Sequence, residues 1–464
     1  MHTASFSRLP NGLRLVTVHR PHLHQVVIAA SIHVGSRHET RASNGLSHFL
    51  EHMLFRGTRH LPTAAAFNHR IESLGGTLTA ATHGDFTLFE LIVPPDALAD
   101  GCAELGEVFT APVFSDRDVE KSIVREEILE DLDEDGRDVN ADNVLRAELF
   151  RGHPLAFPIT GSVKNVERFT ERHLREHMGA HYVGRNMSVA VVGPVSHRAM
   201  ERAATRAFGA LPAGAPRASS VFRSRQSRAR IRTVHYPSAQ TSVRIAFPTP
   251  GQRSSNARAL ELLLRVLDDG MSTRLHRRIC DEKGLAYEVH GNLELFDDAG
   301  LFDVSATVAH ASLPQLVSEV LSIFADLARE GPTRAEVEKA HRRYAFDLEA
   351  MEDAAHALAD YYGPPELFDM RQSPTERRRQ VLGVTAQDIR RAARAVLDPS
   401  RANLVLVGDA DEKMRREMSA QLRRFRQQLK AGARVRVPVA APSLRAPVTP
   451  RRRAGVLDLP AASP

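Results

Sequence analysis

The stretch "SDRDVEKSIVREEILEDL", residues 115–132, decides the fold, because the chain carries it in two versions. Its counterpart is "TRAEVEKAHRRYAFDLEA", residues 333–350, with Val-Glu-Lys in register. A second pair, "RNMSVAVVG" (185–193) and "RANLVLVG" (401–408), follows at similar spacing. Self-similarity at matched spacing points to a duplicated structural unit. The expectation is an α+β protein of two homologous domains, each a mainly antiparallel sheet covered on one side by helices. The irregular segment "PAGAPRASSVFRSRQSRAR" separates them. The expected division is an N-terminal domain at 1–211, a linker at 212–230, a C-terminal homologous domain at 231–430, and a disordered basic Pro/Ala/Arg tail at 431–464.

Elements alternate within the first half. "LRLVTV" (13–18) and "QVVIAASIHV" (25–34) read as strands. A helix then runs through "SHFLEHMLFRG" and ends near Gly57. Thr63 caps a second helix that sets Phe67, Ile71 and Leu74 on one face. "TLTAATHGDFTLFELIV" (77–93) reads as a hairpin turning at His83-Gly84-Asp85, and two more helical stretches follow at 95–110 and 116–133.

Composition narrows the class. The 464 residues are 42% hydrophobic and 25% charged, which is ordinary for a globular chain. No apolar run approaches membrane-spanning length, and the start lacks a secretory pattern. Two cysteines, Cys102 and Cys280, build neither a disulfide framework nor a Cys-rich zinc site, so a cytoplasmic protein is expected. The net charge of +6 sits largely from residue 434 on, where six arginines face the single acid Asp458. The remainder shows no basic stripe with interleaved aromatics, so neither nucleic acid nor membrane is expected as a partner.

His-x-x-Glu-His occurs twice, at 48–52 and at 173–177. On a helix, positions i, i+3 and i+4 share a face, so such a pair of imidazoles can seat one metal ion beside a carboxylate. Leu46, Phe49, Leu50, Met53, Leu54 and Phe55 make the first helix apolar nearly all round, hence buried. Buried His48, His52 and Glu51 need partners, and a divalent cation would satisfy all three. The alternative is a pair of core histidines bonded to backbone. In the second motif Arg172 and Arg175 flank His173 and His177; they repel a cation and pair with Glu176. It reads as an amphipathic surface helix. A zinc enzyme wants a third protein ligand. The acidic helix 119–136 offers Glu120 and Glu127, seven residues apart on one face, although such a helix is also an ordinary solvated one.

From about residue 6 to 430 the chain resembles the pitrilysin family, the inverted zinc-motif peptidases, in the branch of mitochondrial processing peptidase and its bacterial relatives. The resemblance rests on "GLSHFLEHMLFRGT", "ESLGGTLTAATHGDFT", "DVEKSIVREEI", "RNMSVAVVG", "GMSTRLHRRICDEKGLAY" and "AGLFDVSA". It implies that Zn2+ sits on His48, His52 and Glu127, that Glu51 is the general base, and that Glu120 orients a ligand histidine from behind. It implies that Tyr287 donates a hydrogen bond to substrate, and that short or unfolded peptides dock as an added strand on segment 77–82. Two positions depart from the family pattern. Cys280 stands where active relatives carry an arginine seven residues before the tyrosine, and Thr79 stands where they carry asparagine. The expected function is therefore a zinc endopeptidase forming the metal-bearing part of a dimer, with a second family subunit supplying the Arg/Tyr pair or a homodimer in its place. The alternative is a non-catalytic peptide-binding or scaffold subunit of the same family.

Overall fold

The computed structural model describes residues 4–431. The tail anticipated as disordered lies, from residue 432 on, outside the described residues.

Six strands form the first sheet: β1 (Ala4–Arg8), β2 (Arg14–His19), β3 (Val26–Ile32), β4 (Thr77–Thr82), β5 (Thr87–Val93) and β6 (Met187–Gly193). Their spatial order is β1-β2-β6-β3-β5-β4. The second sheet holds β7 (Arg230–His235), β8 (Gln240–Pro250), β9 (Val289–Leu295), β10 (Ala299–Ala309) and β11 (Asn403–Gly408), in the order β7-β11-β8-β10-β9. Without β1, the two orders are the same under the exchange of each strand for its counterpart. The pairings agree too: β2 with β6 and β7 with β11 are parallel, and the rest are antiparallel. The duplication seen in the sequence is thus a duplication of topology.

In the first half the helices are α1 (Leu46–Leu54), α2 (Ala64–Ser73), α3 (Leu98–Thr110), α4 (Arg117–Glu130), α5 (Ala141–Leu149), α6 (Val163–Arg168), α7 (Glu171–His181) and α8 (His197–Phe208). In the second they are α9 (Ala257–Leu267), α10 (Leu313–Arg329), α11 (Arg334–Ala350), α12 (Ala355–Leu367), α13 (Pro374–Leu382), α14 (Ala386–Val396) and α15 (Glu412–Ala431). The repeated segments become α4 and α11.

One expectation needs correcting. Each sheet is covered on both faces, not one. The reason lies in β3 and β6, which are buried along their whole length. Strands apolar on both faces require cover on both. On one face Val26, Ile28, Ala30 and Ile32 pack with Phe49, Leu50, Met53, Leu105 and Phe208. On the other, Val27, Ala29, Ala190 and Val192 pack with Ala355, Leu358, Ala359 and Tyr362 of α12, a helix of the second half. The exchange is reciprocal. Val144, Leu145 and Leu149 of α5 cover Ala246, Val405 and Val407 of the second sheet. A polar tie reinforces it: Arg244 donates to the fully buried Asp303 at 2.6 Å and also pairs with Asp142 of α5.

The 20-residue segment His310–Arg329, containing α10, is long and apolar enough to cross a membrane by composition. It lies in the second core, where Leu316, Val317, Val320 and Phe324 pack with Phe247 and Phe302.

Leu358→Ala, at a fully buried position of α12, is expected to cost about 2–5 kcal/mol. Because α12 bridges the halves, urea unfolding of the variant is expected to remain one transition. Two separated transitions would show that the halves are independent.

Candidate metal centre

Helix α1 begins at a constrained junction. Gly45 caps it with φ 93°, a left-handed conformation that glycine adopts at little cost. Space demands glycine as well, since a Cβ there would stand 2.7 Å from the Thr160 carbonyl oxygen. The buried Glu39 supplies the acceptor for the first turn: it takes hydrogen bonds from Ser47 N at 2.7 Å, Gly45 N at 2.9 Å and the Asn44 side-chain amide at 3.0 Å. A carboxylate at this end also favours the helix dipole. Phe49, Leu50 and Met53 anchor α1 in the core, while α4, α7 and β4 pack around it.

This packing brings five of the anticipated residues together: His48, Glu51, His52, Glu120 and Glu127. His48, His52 and Glu127 each offer a ligand atom, and the three atoms lie within 4.8 Å of one another. Among the described residues this is the one group of His, Cys, Asp and Glu side chains that closes so tightly. His48 Nε2 stands 3.5 Å from Glu127 Oε1, and His52 Nε2 stands 3.6 Å from Glu127 Oε2. These separations are too long for good hydrogen bonds. They match the edge of a zinc tetrahedron, about 3.3 Å for bonds near 2.0–2.1 Å. The residues therefore fit a zinc ion. Glu120 Oε1 meets His52 Nδ1 at 2.7 Å, and Arg56 holds the other Glu120 oxygen. A carboxylate behind a histidine in this way fixes which ring nitrogen faces forward.

Electrostatics agree with the donor chemistry. Burial, with the neighbouring His52 imidazole, holds His48 down to about 3, so the ring is neutral and its lone pair available. Burial alone would lower His52, but its bond to Glu120 and the surrounding carboxylates raise it. Burial raises the carboxyls of Glu51 and Glu127. Glu120 resists the same burial because His52 and Arg56 stabilise its charge, and its pKa falls. Glu51 is fixed from a third element, accepting a 2.5 Å hydrogen bond from the Thr82 hydroxyl. A cavity of about 500 Å³ opens beside it, lined by Glu51, His52, Phe55, Asn68, Thr79 and Ile123.

Tyr287 is not brought to this cluster. It lies between the segment His276–Glu282 and β9, 92% exposed. Cys280 sits within that segment as a free thiol. Glu126 pairs with Arg125 on the helix surface. The second His-x-x-Glu-His, on α7, closes no metal group. Arg172 pairs with Glu176, and His173 accepts from the Thr170 backbone N–H as a cap. The helix is less superficial than its charges suggest: Leu174, His177 and His181 are buried, and His177 Nε2 lies 3.1 Å from Ser47 Oγ on α1. A file of imidazoles continues behind it. Ring centroids are 4.8 Å apart for His177 and His181, 5.8 Å for His181 and His38, and 5.0 Å for His38 and His33.

Sequence reasoning missed Glu39, Arg56 and Thr82. Arg56 had a signal, since it lies four residues beyond His52 on the same helical face. Glu39 and Thr82 reach α1 from separate elements, and no local pattern marks them.

Comparison with known proteins bears on these residues. A family model described as "Insulinase (Peptidase family M16)" matches residues 14–162, which contain the whole cluster. A second, "Peptidase M16 inactive domain", matches residues 168–344. A protein of Streptomyces coelicolor named as an uncharacterized zinc protease is 31% identical over 426 residues, covering 89% of this chain and 91% of that protein. One of the same description from Bacillus subtilis is 27% identical over 362 residues, covering 77% and 87%. Among solved structures, a protease from Helicobacter pylori superposes with a TM-score of 0.79 at 21% identity, covering 88% of this chain and 99% of that one. A peptidase M16 inactive domain from Pseudomonas fluorescens also gives 0.79 at 21% identity, covering 88% and 98%. At that identity the structural likeness speaks for the fold alone.

Burial holds His33 and His181 down to about 4, His177 to about 3 and His38 to about 2. The unfolded chain binds protons at these sites near pH 6.5 and the folded one does not, so stability rises with pH across this window. Asp85 and Asp138, both pushed up to about 6 mainly by burial, act in the opposite sense, as do the raised carboxyls of Glu39, Glu51 and Glu127. The melting temperature of metal-free protein is expected to fall steeply from pH 6.5 to 4. A flat profile there would contradict the buried, neutral file.

Proposed function

Because the chain belongs to peptidase family M16, the insulinase family, we propose that it is a zinc-dependent endopeptidase acting on short or unfolded peptides. The observation that carries the proposal is the closure of His48, His52 and Glu127 around one zinc-sized gap with Glu51 alongside.

A zinc ion held by these three residues would polarise a scissile carbonyl and lower the pKa of its water. The chain's own groups supply the rest. Glu51, buried and with raised proton affinity, would be the group that accepts a proton from an attacking water and returns it to the leaving amine. Glu120 keeps His52 oriented from behind. Strand β4 lies at the sheet edge with Thr77, Thr79 and Ala81 exposed, so an extended peptide can add there as a further strand. Thr79 also lines the cavity beside Glu51. Two free thiols among the described residues support a cytoplasmic setting.

We place the chain as the metal-bearing half of a dimer. Cys280 cannot supply the bidentate cation that the family resemblance calls for, and Tyr287 stands in solvent. A second subunit therefore provides the Arg/Tyr pair. The competing reading, a peptide-binding scaffold, draws on the same Cys280 and on the "inactive domain" description of residues 168–344. The intact cluster weighs against it.

The test is zinc content together with digestion of a fluorogenic peptide, by the chain alone and with a candidate partner. Glu51→Gln is expected to keep one zinc and lose cleavage by about 10²–10⁴-fold. His52→Ala is expected to lose the metal. Glu120→Gln is expected to weaken zinc binding by about 10–100-fold. Undiminished cleavage by purified Glu51→Gln would remove Glu51 as the base.

A further inference from the structure

Glu51 sits on a helix, yet its carboxylate is fixed by a strand. Thr82 is the last residue of β4 and faces inward with Leu78 and Ala80, the two β4 side chains that pack against the core beneath α1. Its hydroxyl donates to Glu51 Oε2 at 2.5 Å. A hydroxyl has one proton to give, so this bond commits Oε2, and the Thr82 backbone N–H is a second donor to the same carboxylate. Glu51 itself is only 8% exposed. Both donors to this buried carboxylate thus belong to Thr82, and losing the hydroxyl removes the short bond that fixes Oε2.

β4 pairs with β5 along one edge and, among the described residues, with no strand along the other. The same strand therefore offers a free backbone edge at Thr77–Thr82 and, at its end, the hydroxyl that orients Glu51. Thr79 and Ala80 of this strand, with Glu51 and His52, line the cavity next to the metal residues. The contact between this strand and the carboxylate runs through Thr82.

We propose that Thr82 is a positioning residue for Glu51: its hydroxyl fixes Oε2 and ties the alignment of the base to the strand on which peptide docks. The proposal rests on the peptidase reading for its catalytic consequence, but not for the contact itself. Valine keeps the shape of threonine and removes the donor; serine restores the donor.

Two measurements test it. The first uses metal-free full-length chain and needs no activity. Urea midpoints are compared for wild type, Glu51→Ala, Thr82→Val and the double variant. Thr82→Val is expected to lower the midpoint in the wild-type background and leave it unchanged in Glu51→Ala, which is the signature of direct coupling. Equal shifts in both backgrounds would overturn the contact. The second uses zinc-loaded chain, with its partner if required, and a fluorogenic peptide. Thr82→Val is expected to lower kcat by about 10–100-fold with KM and zinc content unchanged. Thr82→Ser is expected to recover kcat to within about threefold of wild type. A wild-type kcat in Thr82→Val, or a loss that serine does not restore, would overturn the positioning role. Coupling in the first measurement with no hydrolysis by wild type in the second would overturn the peptidase reading and leave the Thr82–Glu51 contact standing.

Discussion

Two imidazoles and one carboxylate share a gap too wide for hydrogen bonding and as wide as a zinc ion needs. The chemistry of the centre depends on that gap being held open in a buried place. Burial strips His48 of its proton, so the ring is a ligand rather than a cation. Around it stand Glu51, Glu120 and Glu127, of which Arg56 visibly neutralises only Glu120. Three carboxylates set this close, with Glu51 and Glu120 buried, are costly unless a cation completes the arrangement. The protein stabilises the arrangement from several sides: Glu39 and Gly45 set the start of α1, the file of histidines on α7 and beyond supports its back, and Thr82 holds the base from the sheet.

The surrounding fold explains how one short helix is held so firmly. Neither half buries its sheet alone, because β3 and β6 are apolar on both faces. Each half lends the other a helix, α12 to the first sheet and α5 to the second. α4, which carries Glu120 and Glu127, leads directly into α5. The third ligand is thereby connected through a short loop to a helix seated on the opposite sheet, so the relative placement of the halves bears on the metal centre.

Much of this was legible in the sequence, for identifiable reasons. The His-x-x-Glu-His helix announces itself because its spacing is the helical period and its other positions are apolar. The duplication was legible because two helices and two strands kept their spacing. Choosing Glu127 over Glu120 as the third ligand took a family resemblance, since both lie on one face of α4; the structure then places Glu127 in the gap and Glu120 behind His52. The exchange of α5 and α12 was not legible, because an amphipathic pattern says that a helix has a buried face and not which sheet it covers. The depth of α7 was missed for a related reason: Arg172, Arg175 and Glu176 dominate its composition, while Leu174, His177 and His181 form the stripe that packs. Glu39 and Thr82 are long-range partners of α1, and single polar residues in loops and strand ends carry no periodic signal.

The most direct test of the central claim is the X-ray absorption spectrum of the zinc-loaded chain at the zinc edge. Zinc seated in the gap should show only nitrogen and oxygen neighbours near 2.0–2.1 Å, with the outer-shell scattering of two imidazoles. A sulfur neighbour near 2.3 Å, or imidazole scattering unchanged when His48 and His52 are both replaced, would place the metal elsewhere and contradict the account.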